Sequence, residues 1–556
     1  MTARRTAALL GLALLLTSCS TPGGAGTGDV AARTSASAQE QSPSPSRTPE
    51  PSPSNASPTA PQPARSLTEA GWGPSTKQLR RAERIVGRLP LARLAGQVIV
   101  AEYTGKQPPT SLVNRLHLGG VIVMSGNVGT TSQLRRSNEE LQVAAKEAGR
   151  RWPVFIGVDQ EGGIVERVKG RATRFPAFMS AGAARDTALT RNAAAASGAE
   201  LRDLGFSVVF APDADVTSGP NDPTIGSRSA GSRPKVVARQ MNAAVDGYLS
   251  SGILPVIKHF PGHGSVSADS HTALPVQTKT LRRLRASDLV PFETGVAEGV
   301  PAVMAAHIAV RAVDPGVPST VSRRVVTGLL RRDLGFRGLV VTDAMNMAAV
   351  ADRHSSGEGA VRALQAGNDV VLMPPSASGA RDGIVQAVRS GRLSRARLEQ
   401  AAARQIAALL HQRELEPALT RKPGTSGRAS YRLSAGAATV ASGPCRGRLV
   451  GKAVRAVGPS DAVDRFNAAA RKAGLVTGSG TSVALIGYGG SGRSADVVVT
   501  MDTPYALRSS RARVAKIAMY GDTPGAMRAL VRVLQGKARA TGRLPVPVRG
   551  VQRSGC

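Results

Sequence analysis

Between residues 76 and 418 the chain repeats one pattern: a short continuous apolar run, then a longer amphipathic stretch. The runs fall at 97–102, 120–124, 154–158, 208–211, 254–257, 302–306, 339–342 and 369–373. They are rich in Val, Ile and Ala and do not alternate with polar residues, which is how parallel strands covered on both faces read. The intervening stretches, such as 281–298 and 358–366, are long enough for helices. Eight strand-plus-helix units predict a (β/α)8 barrel, with a doubly wound parallel sheet as the rival arrangement. Residues 419–430 read as a linker. From 431 to 556 the alternation resumes on a smaller scale, with strands expected at 449–457, 483–486, 497–501 and 516–519 and helices at 462–473 and 525–534. The stretch Gly487-Tyr488-Gly489-Gly490-Ser491-Gly492 imitates a dinucleotide-binding fingerprint after a strand. It continues directly into another Val run, with no helix to meet a pyrophosphate, so it reads as a turn.

Composition agrees with two folded units. A chain of 556 residues is too long for one small domain, and 41% hydrophobic residues excludes wholesale disorder. Aromatic residues at 3% argue against a large aromatic binding face, and three cysteines cannot build a disulfide-dense scaffold.

The N-terminus predicts a compartment. Met1-Thr2-Ala3-Arg4-Arg5 precedes an apolar stretch from Ala7 to Leu16, and Leu16-Thr17-Ser18-Cys19 follows. This reads as an export signal over 1–19, too short to span a bilayer comfortably. Its end resembles a bacterial lipobox, which would lipidate Cys19 and hold the protein on the outer face of the cell membrane. A simple secretory peptide with a chance cysteine is the alternative. Residues 20–75 then form a tether: 20–66 is dominated by Ser, Thr, Pro, Ala and Gly, which cannot bury enough apolar area to order itself. In polyproline geometry it would reach on the order of 100 Å. In an oxidising exterior the remaining cysteines, Cys445 and Cys556, are expected to pair.

Charge changes the picture once the compartment is considered. There are 72 Lys and Arg against 38 Asp and Glu, a net of +34. Such a balance ordinarily suggests nucleic acid. Export removes that partner. Residues 431–556 hold 20 Lys and Arg against 5 Asp and Glu, a net of +15 and over twice the charge density of the barrel region. The expectation is a surface for anionic cell-wall polymer, against the alternative of an arginine-rich solvated surface with no particular partner.

Nearly every predicted strand ends in chemically capable residues. Val158 runs into Asp159-Gln160-Glu161, Ala211-Pro212 into Asp213 and Asp215, Ile257 into Lys258-His259, Ala306 into His307 and Thr342 into Asp343. One or two could be helix caps. Five such ends on one barrel face form a ring of chemistry where barrel enzymes keep it. The densest stretch is Lys258-His259-Phe260-Pro261-Gly262-His263-Gly264, followed by Asp269-Ser270-His271. A metal site is one reading of these histidines. The other has Lys258 and His259 binding a polyol while His271 exchanges a proton, its tautomer held by Asp269.

Lys258 to Gly264, with Asp269-Ser270-His271-Thr272-Ala273-Leu274-Pro275, resembles the signature of glycoside hydrolase family 3, in its β-N-acetylhexosaminidase branch. Asp159 to Gly163 with Arg167, the run Ile225-Gly226-Ser227-Arg228-Ser229, and Thr342-Asp343-Ala344-Met345-Asn346-Met347 resemble that family in the same order. The resemblance implies a retaining exo-β-N-acetylglucosaminidase. Asp343 would be the nucleophile, His271 the acid/base and Asp269 its orienting partner, where most retaining glycosidases use two carboxylates. Asp159, Arg167, Arg228, Lys258 and His259 would hold the amino sugar. No cofactor and no metal are implied, and peptidoglycan fragments are the expected source of substrate. The region 431–556 resembles a shortened form of the α/β sandwich domain that follows the barrel in many members. Two positions depart from the family pattern: Ile164 stands where Arg is common, and Ala230-Gly231-Ser232 lacks the usual aromatic. A related β-glycosidase or a β-N-acetylglucosaminide phosphorylase is the enzymatic alternative, and a sugar-binding lipoprotein the non-enzymatic one.

Overall fold

The computed structural model describes residues 71–415, 420–551 and 556. The expected export signal, Cys19 and residues 20–70 of the tether lie outside them.

Eight parallel strands close on themselves: β1 (Ile99–Ala101), β2 (Gly120–Val123), β3 (Phe155–Val158), β4 (Val208–Val209), β5 (Ile257–Phe260), β6 (Ala302–Ala305), β7 (Leu339–Thr342) and β8 (Val371–Leu372). β8 pairs with β1, and β1 to β4 pair in sequence. The segment Leu254–Pro255 pairs with β4 before the chain continues into β5. β5 to β7 pair in turn, and a parallel bridge between Val341 and Val370 joins β7 to β8. This is the (β/α)8 barrel, not a doubly wound sheet. The apolar runs are buried on both faces because side chains fill the barrel and helices cover it. Phe155 and Phe210 pack with ring centroids 6.1 Å apart. A Cβ on Gly157 would come within 2.8 Å of the Phe210 ring, so only glycine fits in β3 between these rings.

Three details differ from the sequence expectation. The folded region includes Trp72, which is buried in the barrel core ahead of residue 76. The helix expected over 281–298 is two helices, Leu281–Arg285 and Val290–Ala297. Asp288, fully buried between them, accepts hydrogen bonds from Lys279, Ser265 and Ser287, and Pro291 starts the second helix. The third detail lies in the C-terminal sheet, which has two strands the apolar runs did not mark.

That sheet contains β9 (Thr439–Ser442), β10 (Ala453–Val457), β11 (Val476–Thr477), β12 (Thr481–Ile486), β13 (Ser494–Thr500) and β14 (Arg511–Ala518), in the order β9-β14-β13-β12-β10-β11. Only β9, at one edge, is antiparallel. Helices Gly427–Ala437, Ser460–Lys472 and Pro524–Leu534 pack together on this sheet. Its other side, with Val498, Ala518 and Tyr520, packs on Met179 and Ala183 of the barrel and on Leu544, Val546 and Val548. The barrel thus supplies part of the third layer of a shortened sandwich. Cys445 and Cys556 are joined by a disulfide, with Cα atoms 5.1 Å apart.

Candidate active site

The carboxyl ends of the strands converge on a cavity of about 250 Å³. At the end of β3, Asp159 leads into a hairpin of Gln160–Gly162 and Val165–Glu166. The turn passes through Gly162 and Gly163 at φ of +93° and +61°, a region glycine enters without steric cost. The hairpin carries Glu161 into a network of charges. Lys258, on β5 and 2% exposed, places its ammonium 2.7 Å from Asp159 Oδ1 and 2.6 Å from Glu161 Oε1. Arg228 donates Nε and Nη2 to the two Glu161 oxygens, both at 2.9 Å, and its Nε lies 3.4 Å from Asp213. Burial would raise the Glu161 carboxyl, but Arg228 and Lys258 outweigh it and hold it well below the usual range. Burial dominates at Asp213 and raises its carboxyl well above that range. The same acids raise Lys258 against the pull of burial, keeping it an ammonium.

The turn Gly226–Arg228 that presents Arg228 is itself anchored. The Asp222 carboxylate accepts the N–H groups of Thr224, Ile225 and Gly226 at 3.2, 2.9 and 3.2 Å. Ser227 donates its hydroxyl to Asp502 of the C-terminal domain. His259 Nδ1 lies 2.7 Å from Asp215 Oδ2, and Nε2 lies 3.2 Å from Arg228 Nη2. Arginine can only donate, so this network assigns the proton to Nδ1 and leaves Nε2 an acceptor. Burial, reinforced by Arg228, pushes the imidazole well below its ordinary range and keeps it neutral. Burial raises Asp215 to about 6, despite the opposing pull of His263.

Asp343 follows β7. Its N–H donates to Ala305 at 2.9 Å, and its Oδ1 accepts from the Ala344 N–H at 2.8 Å. Burial raises this carboxyl, while His307, His259, the Ala344 N–H and Lys258 together hold it below the ordinary range. His307, at the end of β6, donates Nε2–H to the Ala344 carbonyl at 2.9 Å and so fixes the peptide next to Asp343. His271 comes from the loop after β5. Asp269 Oδ1 accepts both its backbone N–H, at 2.9 Å, and its Nδ1–H, at 2.7 Å. That leaves Nε2 to exchange a proton. These donors hold Asp269 below its usual range against the effect of burial. His271 is 63% exposed, whereas His259 is 8% exposed. One is open to solvent at the cavity and the other is locked in place.

Asp343, His271, Asp159, Arg167, Arg228, Lys258 and His259 all line the one cavity, and Asp269 reaches it through His271. Arg167 joins it with a buried Nε that has no hydrogen-bond partner. The sequence marks Glu161, Asp213, Asp215 and His307 as members of the strand-end ring but gives none of them an individual role. Each stood at a strand end, which was the available signal. Asp213, Asp215 and His259 approach one another closely enough to resemble a metal ligand set. The Arg228 guanidinium beside them already supplies the positive charge, and His259 Nδ1–H is directed at Asp215.

The fold and the pocket define an acid–base site on a (β/α)8 barrel, with a held carboxylate and a solvent-reaching imidazole–carboxylate pair. The family model described as glycosyl hydrolase family 3 N terminal domain matches residues 91–408, and the chain belongs to that family. A relative named beta-hexosaminidase A, from Pseudoalteromonas piscicida, is 37% identical over 285 residues, covering 48% of this chain and 48% of the relative. The chain therefore spans about half the length of that relative. Beta-hexosaminidase LpqI from Mycobacterium tuberculosis is 34% identical over 313 residues, covering 55% of this chain and 78% of the relative. The solved structure of a family 3 β-N-acetylglucosaminidase from Paenibacillus sp. is similar with a TM-score of 0.75 and 30% identity, covering 83% of this chain and 99% of that one.

Proposed function

We propose that the protein is a retaining exo-β-N-acetylglucosaminidase that removes terminal β-linked N-acetylhexosamine, with peptidoglycan fragments as its natural substrate. The observation that carries the reading is the shared cavity: an ionised Asp343 and the Asp269–His271 pair face the same space. Asp343 attacks the anomeric carbon and forms a glycosyl-enzyme intermediate while His271 Nε2 protonates the leaving oxygen. The imidazole, now neutral, takes a proton from the incoming water, and the second displacement restores Asp343. A neutral base adds no negative charge beside the nucleophile. Asp159, Arg167, Arg228, Lys258 and His259 hold the hydroxyls and the N-acetyl group, with Glu161 fixing the two cations. The protein acts on the outer face of the bacterial membrane, lipid-anchored through Cys19, and its basic C-terminal domain rests on anionic wall polymer.

The test is a panel of aryl β-glycosides with and without phosphate. Release from the N-acetylglucosaminide, independent of phosphate and lost in Asp343→Asn, is the expected result. Strict dependence on phosphate would identify a phosphorylase instead. Unchanged hydrolysis in Asp343→Asn would remove the assigned nucleophile.

A further inference from the structure

The domain interface holds a second cavity, of about 550 Å³, that this mechanism does not use. One wall belongs to the hairpin that carries Glu161. Glu161 and Val165 line the catalytic cavity, whereas Gly163, Ile164 and Glu166 line this one, so a single hairpin separates the two. The facing wall comes from the segments that follow β10 and β12, namely Pro459 to Ala462 and Gly487-Tyr488. β10 and β12 are neighbours, yet the first connects to β11 on one side and the second to β13 on the other. The crevice beyond the carboxyl ends of such a pair is where open α/β sheets receive ligands. The glycine-rich turn at 487–492 therefore has a role distinct from cradling a pyrophosphate: it holds Tyr488 out as part of the cavity wall.

The chemistry of the lining selects a class of ligand. Tyr488 is 68% exposed and Ile164 43% exposed, and both face this space. Such large apolar surfaces left open ask for a partner. Acids outnumber cations by one: Lys169, Arg174 and Arg465 stand against Glu166, Asp461, Asp502 and Asp522. Asp522 engages both arginines, and Glu166 also engages Arg174. A phosphate or nucleotide would find no surplus of positive charge. A pyranose would find an aromatic and an aliphatic face for its C–H surface and donors and acceptors for its hydroxyls. Resting on the hexosaminidase reading, we propose that this cavity is a second saccharide subsite. It holds a neutral sugar unit of the same oligosaccharide whose terminal residue enters the catalytic cavity.

The experiment compares the full chain with Tyr488→Ala on two substrates: an aryl β-N-acetylglucosaminide, which fills only the catalytic cavity, and the β-1,4-linked trimer of N-acetylglucosamine. The expected result is a KM for the trimer raised about three- to tenfold, the scale of one lost aromatic contact. kcat and both aryl-glycoside parameters stay within about twofold, and Tyr488→Phe behaves as wild type. An unchanged KM for the trimer, or an equal change on the aryl glycoside, overturns the subsite. Wild-type inactivity on the aryl glycoside would instead refute the hexosaminidase reading. Calorimetric titration with the trimer then decides the subsite alone: binding weakened by Tyr488→Ala supports it, and binding unaffected overturns it.

Discussion

Replacing Glu161 by Gln keeps the shape of the side chain and removes the one acid shared by both buried cations. Glu161 is 4% exposed, Lys258 2% and Arg228 11%, so water cannot take over its role. Removing one partner of a buried pair costs about 3–5 kcal/mol. Here Lys258 retains Asp159, and removing the Glu161 charge that helps to raise Asp213 favours ionisation of that carboxyl beside Arg228. The loss therefore belongs at the lower end, about 3 kcal/mol. In thermal unfolding of a folded region this large, that is a fall of roughly 3–4 °C. The pH dependence follows from the sign of the shift. The Glu161 carboxyl is depressed in the folded state, so its contribution is complete above the ordinary value of 4.5 and is lost as pH falls below it. Melting curves of wild type and Glu161→Gln should stay separated at neutral pH and converge in acid, with affinity for N-acetylglucosamine reduced in the variant. A difference under about 1 kcal/mol at neutral pH, or a gap that does not close in acid, would refute the account of this network.

Two further outcomes test other parts of the site. His271→Ala should slow hydrolysis of the glycosyl-enzyme most, by on the order of 10²–10⁴, and azide should restore part of the rate because it attacks without a general base; no rescue would place the general base elsewhere. Asp502→Ala should raise KM with little effect on kcat, because Ser227 loses the acceptor that steadies the Arg228 turn. Asp502→Asn, which keeps that acceptor, should recover it, and amide exchange over 217–229 should quicken only in the Ala variant.

The strands were legible because both their faces are buried, which leaves continuous apolar runs, and the chemistry was legible because it sits where those runs stop. The Asp269–His271 pair could be read from its local spacing alone. What escaped depended on contacts distant in sequence. Glu161 stood among the strand-end acids without a role of its own until Lys258 of β5 and Arg228 of the 226–228 turn closed on it. Asp213 and Asp215 follow a strand as helix caps do, and only His259 and Arg228 give them another purpose. Strands β9 and β11 were hidden for different reasons, β9 as an antiparallel edge and β11 as a pairing of two residues. The break at Asp288 reflects a buried carboxylate that recruits Lys279 and Ser265. A helical periodicity cannot register that cost.

The central claim is that Asp343 forms a covalent bond to the sugar. The direct measurement is mass spectrometry of the protein after incubation with a fluorinated N-acetylglucosaminyl fluoride, a substrate whose glycosyl-enzyme intermediate breaks down slowly. The expected result is a single added fluoro-N-acetylglucosaminyl group on the peptide containing Asp343, the anomeric fluoride having left, with release accelerated by a competing acceptor. A label on another carboxylate, or turnover without any covalent adduct, would contradict it.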